Sequence, residues 1–111
     1  MIPVEHYVAL SGILFAIGGA GFLARRNVLV TLMSIEIMLN SANLALVAFN
    51  RSRIHQAVWQ TAPGASHTGQ VFAFFIIAAE AAEVAVGLAI VLSLYRLRRT
   101  VRSDEADLLK N

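Results

Sequence analysis

The chain has 111 residues, of which 58% are hydrophobic and 14% charged, with a formal net charge of +2 and a mean hydropathy of +0.67. Such a composition excludes an ordinary soluble domain and makes the lipid bilayer the expected solvent. With no cysteine, neither a disulfide framework nor a thiolate metal or iron–sulfur site is available, and the arginines sit at the edges of apolar runs, which marks topology and not nucleic-acid binding.

The first element is predicted over residues 4–24. His6 to Ala24 carries no Asp, Glu, Lys or Arg, enough for one crossing of about 20 residues. Met1-Ile2-Pro3-Val4-Glu5 lacks the basic segment of a cleaved signal and the arginines follow the apolar run, so the helix is read as a retained span. Gly12, Ala16, Ala20 and Ala24 recur at four-residue spacing and are expected to form its close-packing stripe. The turn Arg25-Arg26-Asn27 is too short to be anything but a tight link between antiparallel helices.

A second helix is expected over 28–49, with Glu36 as its only charge. Residues 50–69, with Pro63, Gly64, Ser66 and Gly69, read as the one sizeable loop. In it, His55 and His67 read as solvated side chains and not metal ligands, and Trp59 as an interfacial anchor. The third helix is expected over 70–95, with Glu80 and Glu83 as its charges, followed by a basic tail at 96–111. The fold class is thus an all-α integral membrane protein, one domain over 1–111 with three transmembrane helices. Arg25, Arg26, Arg96, Arg98, Arg99, Arg102 and Lys110 lie on one side, against Arg51 and Arg53 on the other. This asymmetry predicts the N-terminus outside and the C-terminus inside.

A carboxylate at the centre of a membrane helix costs about 2.5–3.5 kcal/mol on insertion scales, so three of them need a reason. Any one could be structural, hydrogen-bonded to a neighbouring helix, but ionisable groups at this depth point first to function. At about 1.5 Å per residue, Glu36 lies about 15 Å in from Arg26, Glu83 about 20 Å and Glu80 about 24 Å in from Arg96. Glu36 and Glu83 are therefore expected at similar heights near the midplane, where a lateral proton step is conceivable. Glu36, Asn40 and Asn43 share one stripe of the second helix, a polar seam that water could follow; interhelical packing is the equal alternative for the two asparagines. Burial in low dielectric disfavours the charged carboxylate, the chemistry needed for a group that exchanges protons near neutrality. No phosphate-cradling glycine loop, nucleophile triad or haem-type ligand pair accompanies these acids.

Met1-Ile2-Pro3, the Arg25-Arg26-Asn27 turn, Glu36-Ile37-Met38-Leu39-Asn40 with Asn43-Leu44-Ala45, and Ala82-Glu83-Val84-Ala85-Val86-Gly87-Leu88-Ala89 together resemble the subunit K family of bacterial proton-pumping NADH:quinone oxidoreductase, respiratory complex I. The resemblance covers nearly the whole chain outside 50–69. It implies that Glu36 and Glu83 belong to a polar axis for proton translocation coupled to quinone reduction, with Glu80 secondary, and that the inner-face turn carries Arg25 and Arg26. It implies no redox cofactor or metal in this chain, with NADH, FMN, iron–sulfur clusters and quinone handled elsewhere in the complex. The implied partners are the antiporter-like membrane-arm subunits and those near the quinone site, in the bacterial inner membrane, with no nucleic acid. Glu80 departs from the family pattern, as does the longer loop at 50–69. A C-type subunit of multisubunit cation/proton antiporters is a related alternative, disfavoured by Glu36. A small multidrug exporter would have four spans with the acid in the first, and a structural assembly subunit would tolerate loss of the glutamates.

Overall fold

A computed structural model describes residues 2–59, 67–99 and 101–105. Among the described residues there are three long helices, α1 (Val4–Ala24), α2 (Val28–Trp59) and α3 (Thr68–Arg98), and a 3-10 turn at Ser103–Glu105. All three helices are long and apolar enough to cross a membrane. The chain is a multi-pass, all-α membrane protein.

Local chemistry sets the helix ends. Pro3 precedes α1, and the chain leaves it through Arg25, whose backbone is extended at φ −122° and ψ 141°. Asn27 starts α2 at once: its Oδ1 accepts the Leu29 amide at 2.9 Å, and its carbonyl accepts the Thr31 amide and hydroxyl at 2.9 and 3.1 Å. An asparagine here satisfies a first-turn N–H that would otherwise be orphaned in lipid. α3 closes on Arg99, which adopts a left-handed backbone (φ 56°) and returns its amide to the Tyr95 carbonyl at 2.8 Å. Its guanidinium lies 5.9 Å from the Tyr95 ring centroid, within cation–π range.

Helix α2 corrects the expected loop. It continues ten residues past Phe49, because Asn50 to Trp59 contains neither Gly nor Pro; the segment loses its hydropathy without losing its helical conformation. A helix of 32 residues is about 48 Å long, against a hydrocarbon core of about 30 Å. Its C-terminal turns therefore stand outside the apolar layer. His55 is helical and half-buried, while His67, just before α3, pairs its Nδ1 with Gln70 Oε1 at 2.9 Å. Pro63, Gly64, Ser66 and the Trp59 side chain lie outside the described residues.

The tail beyond α3 folds back onto the α1–α2 turn. The Val28 amide donates to the Val101 carbonyl at 2.8 Å and the Ser103 amide to the Arg26 carbonyl at 2.9 Å, forming an antiparallel bridge between Asn27 and Arg102. Asp104 receives Arg26 at 3.2 Å and Arg102 at 3.0 Å. The two segments that sequence analysis separated as link and tail thus form one clamp.

Helix α2 lies between α1 and α3. Against α1 it presents Ser34, Met38 and Ser41. A Cβ on Gly18 would stand 2.6 Å from Met38 Cγ and 2.9 Å from the Ser34 carbonyl oxygen, and one on Gly21 would stand 2.6 Å from Ser34 Oγ. The Ser11 hydroxyl donates to the Ser41 carbonyl at 2.7 Å. The packing stripe of α1 is therefore Ser11, Gly18 and Gly21, not the expected Gly12, Ala16, Ala20 and Ala24. Gly12 has nothing within 4 Å of its missing Cβ, and the three alanines are exposed. Two small-residue stripes run along α1, and the serines distinguish them, because a hydroxyl in lipid needs an acceptor. Among the described residues only Ala48, Ala73 and Val91 are buried apolar groups, whereas Leu23, Phe74, Phe75 and Leu97 stand exposed.

Candidate functional site

The three span carboxylates belong to the α2–α3 seam and its edge. Two glycines bring the helices together. A Cβ on Gly87 would meet Leu32 Cδ2 at 2.7 Å, and one on Gly69 would meet Asn50 Cβ at 2.5 Å. Between these points Asn43 Nδ2 donates to the Ala73 carbonyl at 3.4 Å, and at the far end the Gly69 amide donates to Asn50 Oδ1 at 3.2 Å. On α3 the buried line is Ala73, Glu80, Gly87 and Val91; on α2 the facing polar positions are Glu36, Asn43 and Asn50. Glu36, Asn43 and Asn50 repeat every seven residues, as do Ala73, Glu80 and Gly87, with Val91 four further on; such spacing keeps one face of a helix turned towards a near-antiparallel partner.

This register separates the two acids of α3. Glu80 is buried in the seam, 4% exposed, and the contacts Leu32–Gly87 and Asn43–Ala73 bracket it level with Ile37 and Met38. It thus stands within about one turn of Glu36, which is half-buried. Glu83 lies at the level of Ile35 and Glu36 but is exposed on the outer surface of α3. About 60° of rotation divides the pair between an internal contact and an open face. Asn40 is also turned outward; its Nδ2 donates to the Glu36 backbone carbonyl at 2.9 Å. Of the expected polar stripe, Glu36 and Asn43 therefore adjoin α3, and Asn40 does not.

The seam leaves polar atoms unpaired. Glu80 Oε1, Asn43 Oδ1 and Asn50 Nδ2 are buried without a hydrogen-bond partner. Such groups cost about 1–3 kcal/mol each when left unsatisfied. Asn50 was missed by the sequence reading because it fell inside the expected loop. Its signal was its position, seven residues beyond Asn43. At the opposite end of the bundle Arg25 and Arg26 are exposed. There the hydrogen bond from Arg102, aided by the nearby positive charges, holds the Asp104 carboxyl below its ordinary range. Among the described residues there is no group of three His, Cys, Asp or Glu side chains able to hold a metal.

Comparison with known proteins gives a consistent outcome. The chain matches the family model described as NADH-ubiquinone/plastoquinone oxidoreductase chain 4L over residues 6–111. It is 56% identical over 110 residues to a protein of Sorangium cellulosum named NADH-quinone oxidoreductase subunit K, covering 99% of this chain and 97% of that protein. Identity to the protein of the same name from Methylacidiphilum infernorum is 50% over 109 residues, with 98% and 97% covered. For that of Akkermansia muciniphila it is 46% over 111 residues, with both chains fully covered.

Proposed function

The chain belongs to the NADH-ubiquinone/plastoquinone oxidoreductase chain 4L family, and from that premise we propose that it is a membrane-arm subunit whose glutamates pass protons laterally at mid-membrane. Family membership sets aside the antiporter C-subunit and multidrug-exporter alternatives. The observation that carries the reading is the distribution of the acids at nearly one level: Glu36 half-buried, Glu80 buried beside it, and Glu83 exposed about 60° around α3 from Glu80. A carboxylate facing hydrocarbon costs about 2.5–3.5 kcal/mol, so the Glu83 face is suited to a neighbouring subunit or to water, and not to lipid. Glu36 and Glu83 then carry the relay, with Glu83 exchanging with the neighbour and Glu80 as a secondary acid beside Glu36.

A neutral carboxyl donates and an ionised one accepts, so each acid can receive a proton from one side and pass it to the other, which is what lateral transfer requires. The chain carries no redox step in this reading. The wider complex supplies NADH oxidation and quinone reduction, with antiporter-like and quinone-proximal subunits as neighbours. The basic turn and tail face the cytoplasm, in accord with the arginine asymmetry.

The test is Glu36→Gln in the assembled complex, because the amide keeps the shape but carries no exchangeable acid proton. NADH-driven acidification of membrane vesicles should fall by about an order of magnitude or more, with the complex intact on a native gel. Normal pumping would favour a purely structural subunit.

A further inference from the structure

We propose that the open-sided groove between the start of α1 and the end of α2 binds one phospholipid from the leaflet opposite the clamp, with an acyl chain in the groove and the phosphate at Arg51. Lipid binding there does not depend on the proton relay.

The groove exists because the two helices end at different heights. Ser11 meets Ser41, and seven residues outward from each put Val4, the first residue of α1, level with Ala48. From there α2 runs on for eleven more residues to Trp59, about 16 Å. The start of α1 is thus a ledge and the last turns of α2 a wall above it. The space between them has a volume of about 400 Å³, within the range of about 300–1,000 Å³ that holds small ligands.

Its lining changes character along the membrane normal. One face of α2 supplies Leu44, Val47, Ala48, Arg51, Ser52 and His55, so apolar side chains lie below and polar ones above. Leu44 to Arg51 spans about 10 Å, which fits within one half of an apolar core about 30 Å thick. The hydrogen bond from Ser11 to Ser41 closes the space between the helices just below Leu44. A depression confined to one leaflet suits an acyl chain, whereas a crossing helix of another subunit needs a groove through both. At the rim Arg51 is exposed and forms no ion pair among the described residues. Its apolar stem lets the guanidinium stand at headgroup level, and its planar fork of donors matches a phosphate. Tyr7, half-buried on the α1 side of the groove, has the amphipathic ring that sits at a membrane interface. Glu5 is exposed on the first turn of α1 but does not line the groove, and neither does Arg53.

The experiment is photolabelling of the intact complex in vesicles of phosphatidylethanolamine and phosphatidylglycerol, the latter with a photoreactive group on one acyl chain. Label should appear on peptides containing Tyr7 or Val47. Arg51→Gln should lower it there about ten-fold, the loss of one hydrogen-bonded charge contact, while Arg53→Gln leaves it unchanged and excess inorganic phosphate does not compete. Val47→Phe, which fills the groove, should abolish it; a native gel confirms that each variant is assembled. Undiminished labelling in Arg51→Gln would overturn the phosphate contact, and an equal fall in Arg53→Gln would reduce the site to general surface charge. Absence of label in the unaltered complex, or a map of it with another subunit's side chains in the groove, would overturn the lipid site altogether.

Discussion

Glu80 and Glu83 are one helical turn apart on α3, yet Glu80 is packed against α2 and Glu83, about 60° around the helix, is exposed. Two acids that look interchangeable in sequence therefore meet different neighbours. Glu83→Gln should impair vesicle acidification strongly, Glu80→Gln more weakly, and the double change more than either. Should Glu80→Gln alone be the damaging one, the functional acid of α3 would sit one turn earlier.

Burial also predicts a trade between stability and activity at Glu80. Its unpaired oxygen is destabilising by about 1–3 kcal/mol, so Glu80→Leu should leave the complex as heat-resistant as before, or more so, while lowering pumping. The check is the fraction of complex surviving graded heating on a native gel. A marked loss of heat resistance would mean that the carboxyl makes a stabilising bond to another subunit.

Close approach on α1 is specific to one stripe. Gly18→Ala forces a methyl against a backbone oxygen at 2.9 Å, which cannot swing aside as a side chain would, and should cost about 1–3 kcal/mol as overpacking. Reduced incorporation into the complex is the readout. Gly12→Ala, with open space around it, should be neutral for this chain, so any defect it causes would identify Gly12 as a contact for another subunit.

The clamp between turn and tail should respond to charge. Asp104 is held below the ordinary aspartate value of 3.8, first by the Arg102 hydrogen bond. A depressed carboxyl stabilises the closed form fully above that ordinary value and loses the contribution as pH falls through its own lower one. The clamp should thus persist on mild acidification, and open in Asp104→Asn or at high salt, since Arg26 is 73% exposed and screened. Amide exchange at Ser103, corrected for the intrinsic effect of pH, measures it; unchanged protection in Asp104→Asn would assign the clamp to its backbone bonds alone.

Orientation is tested by a reporter on the C-terminus. Cytoplasm-active reporters should work there and periplasm-active ones stay silent, following the basic asymmetry. The opposite pattern would reverse the topology and with it the leaflet that the groove at Arg51 faces.

Much of this molecule is legible in its residues. Apolar runs nearly free of charge announce three spans, because a bilayer tolerates little else, and Glu36, Glu80 and Glu83 stand out for the same reason. The end of α2 was hidden, since hydropathy marks where a chain leaves lipid and not where its helix stops; Asn50 to Trp59 leaves the first without ending the second. The packing face of α1 was hidden because Gly12–Ala24 and Ser11–Gly21 are both rows of small residues. Which of Glu80 and Glu83 faces α2 was also hidden, as the register depends on Gly69 and Gly87, residues whose significance appears only once two helices are set side by side.

The clamp also bears on biosynthesis. Its tail half, Val101 to Asp104, emerges from the ribosome after all of α3, whereas its other half, Arg26 to Val28, emerges before α2. The early turn therefore stays open until the third span has been delivered to the correct side. Closure then reports that the hairpin of α2 and α3 has been threaded in the right sense. A chain whose last span stalled or inserted backwards would display an unlatched arginine-rich turn, a visible difference that membrane quality control could read before assembly.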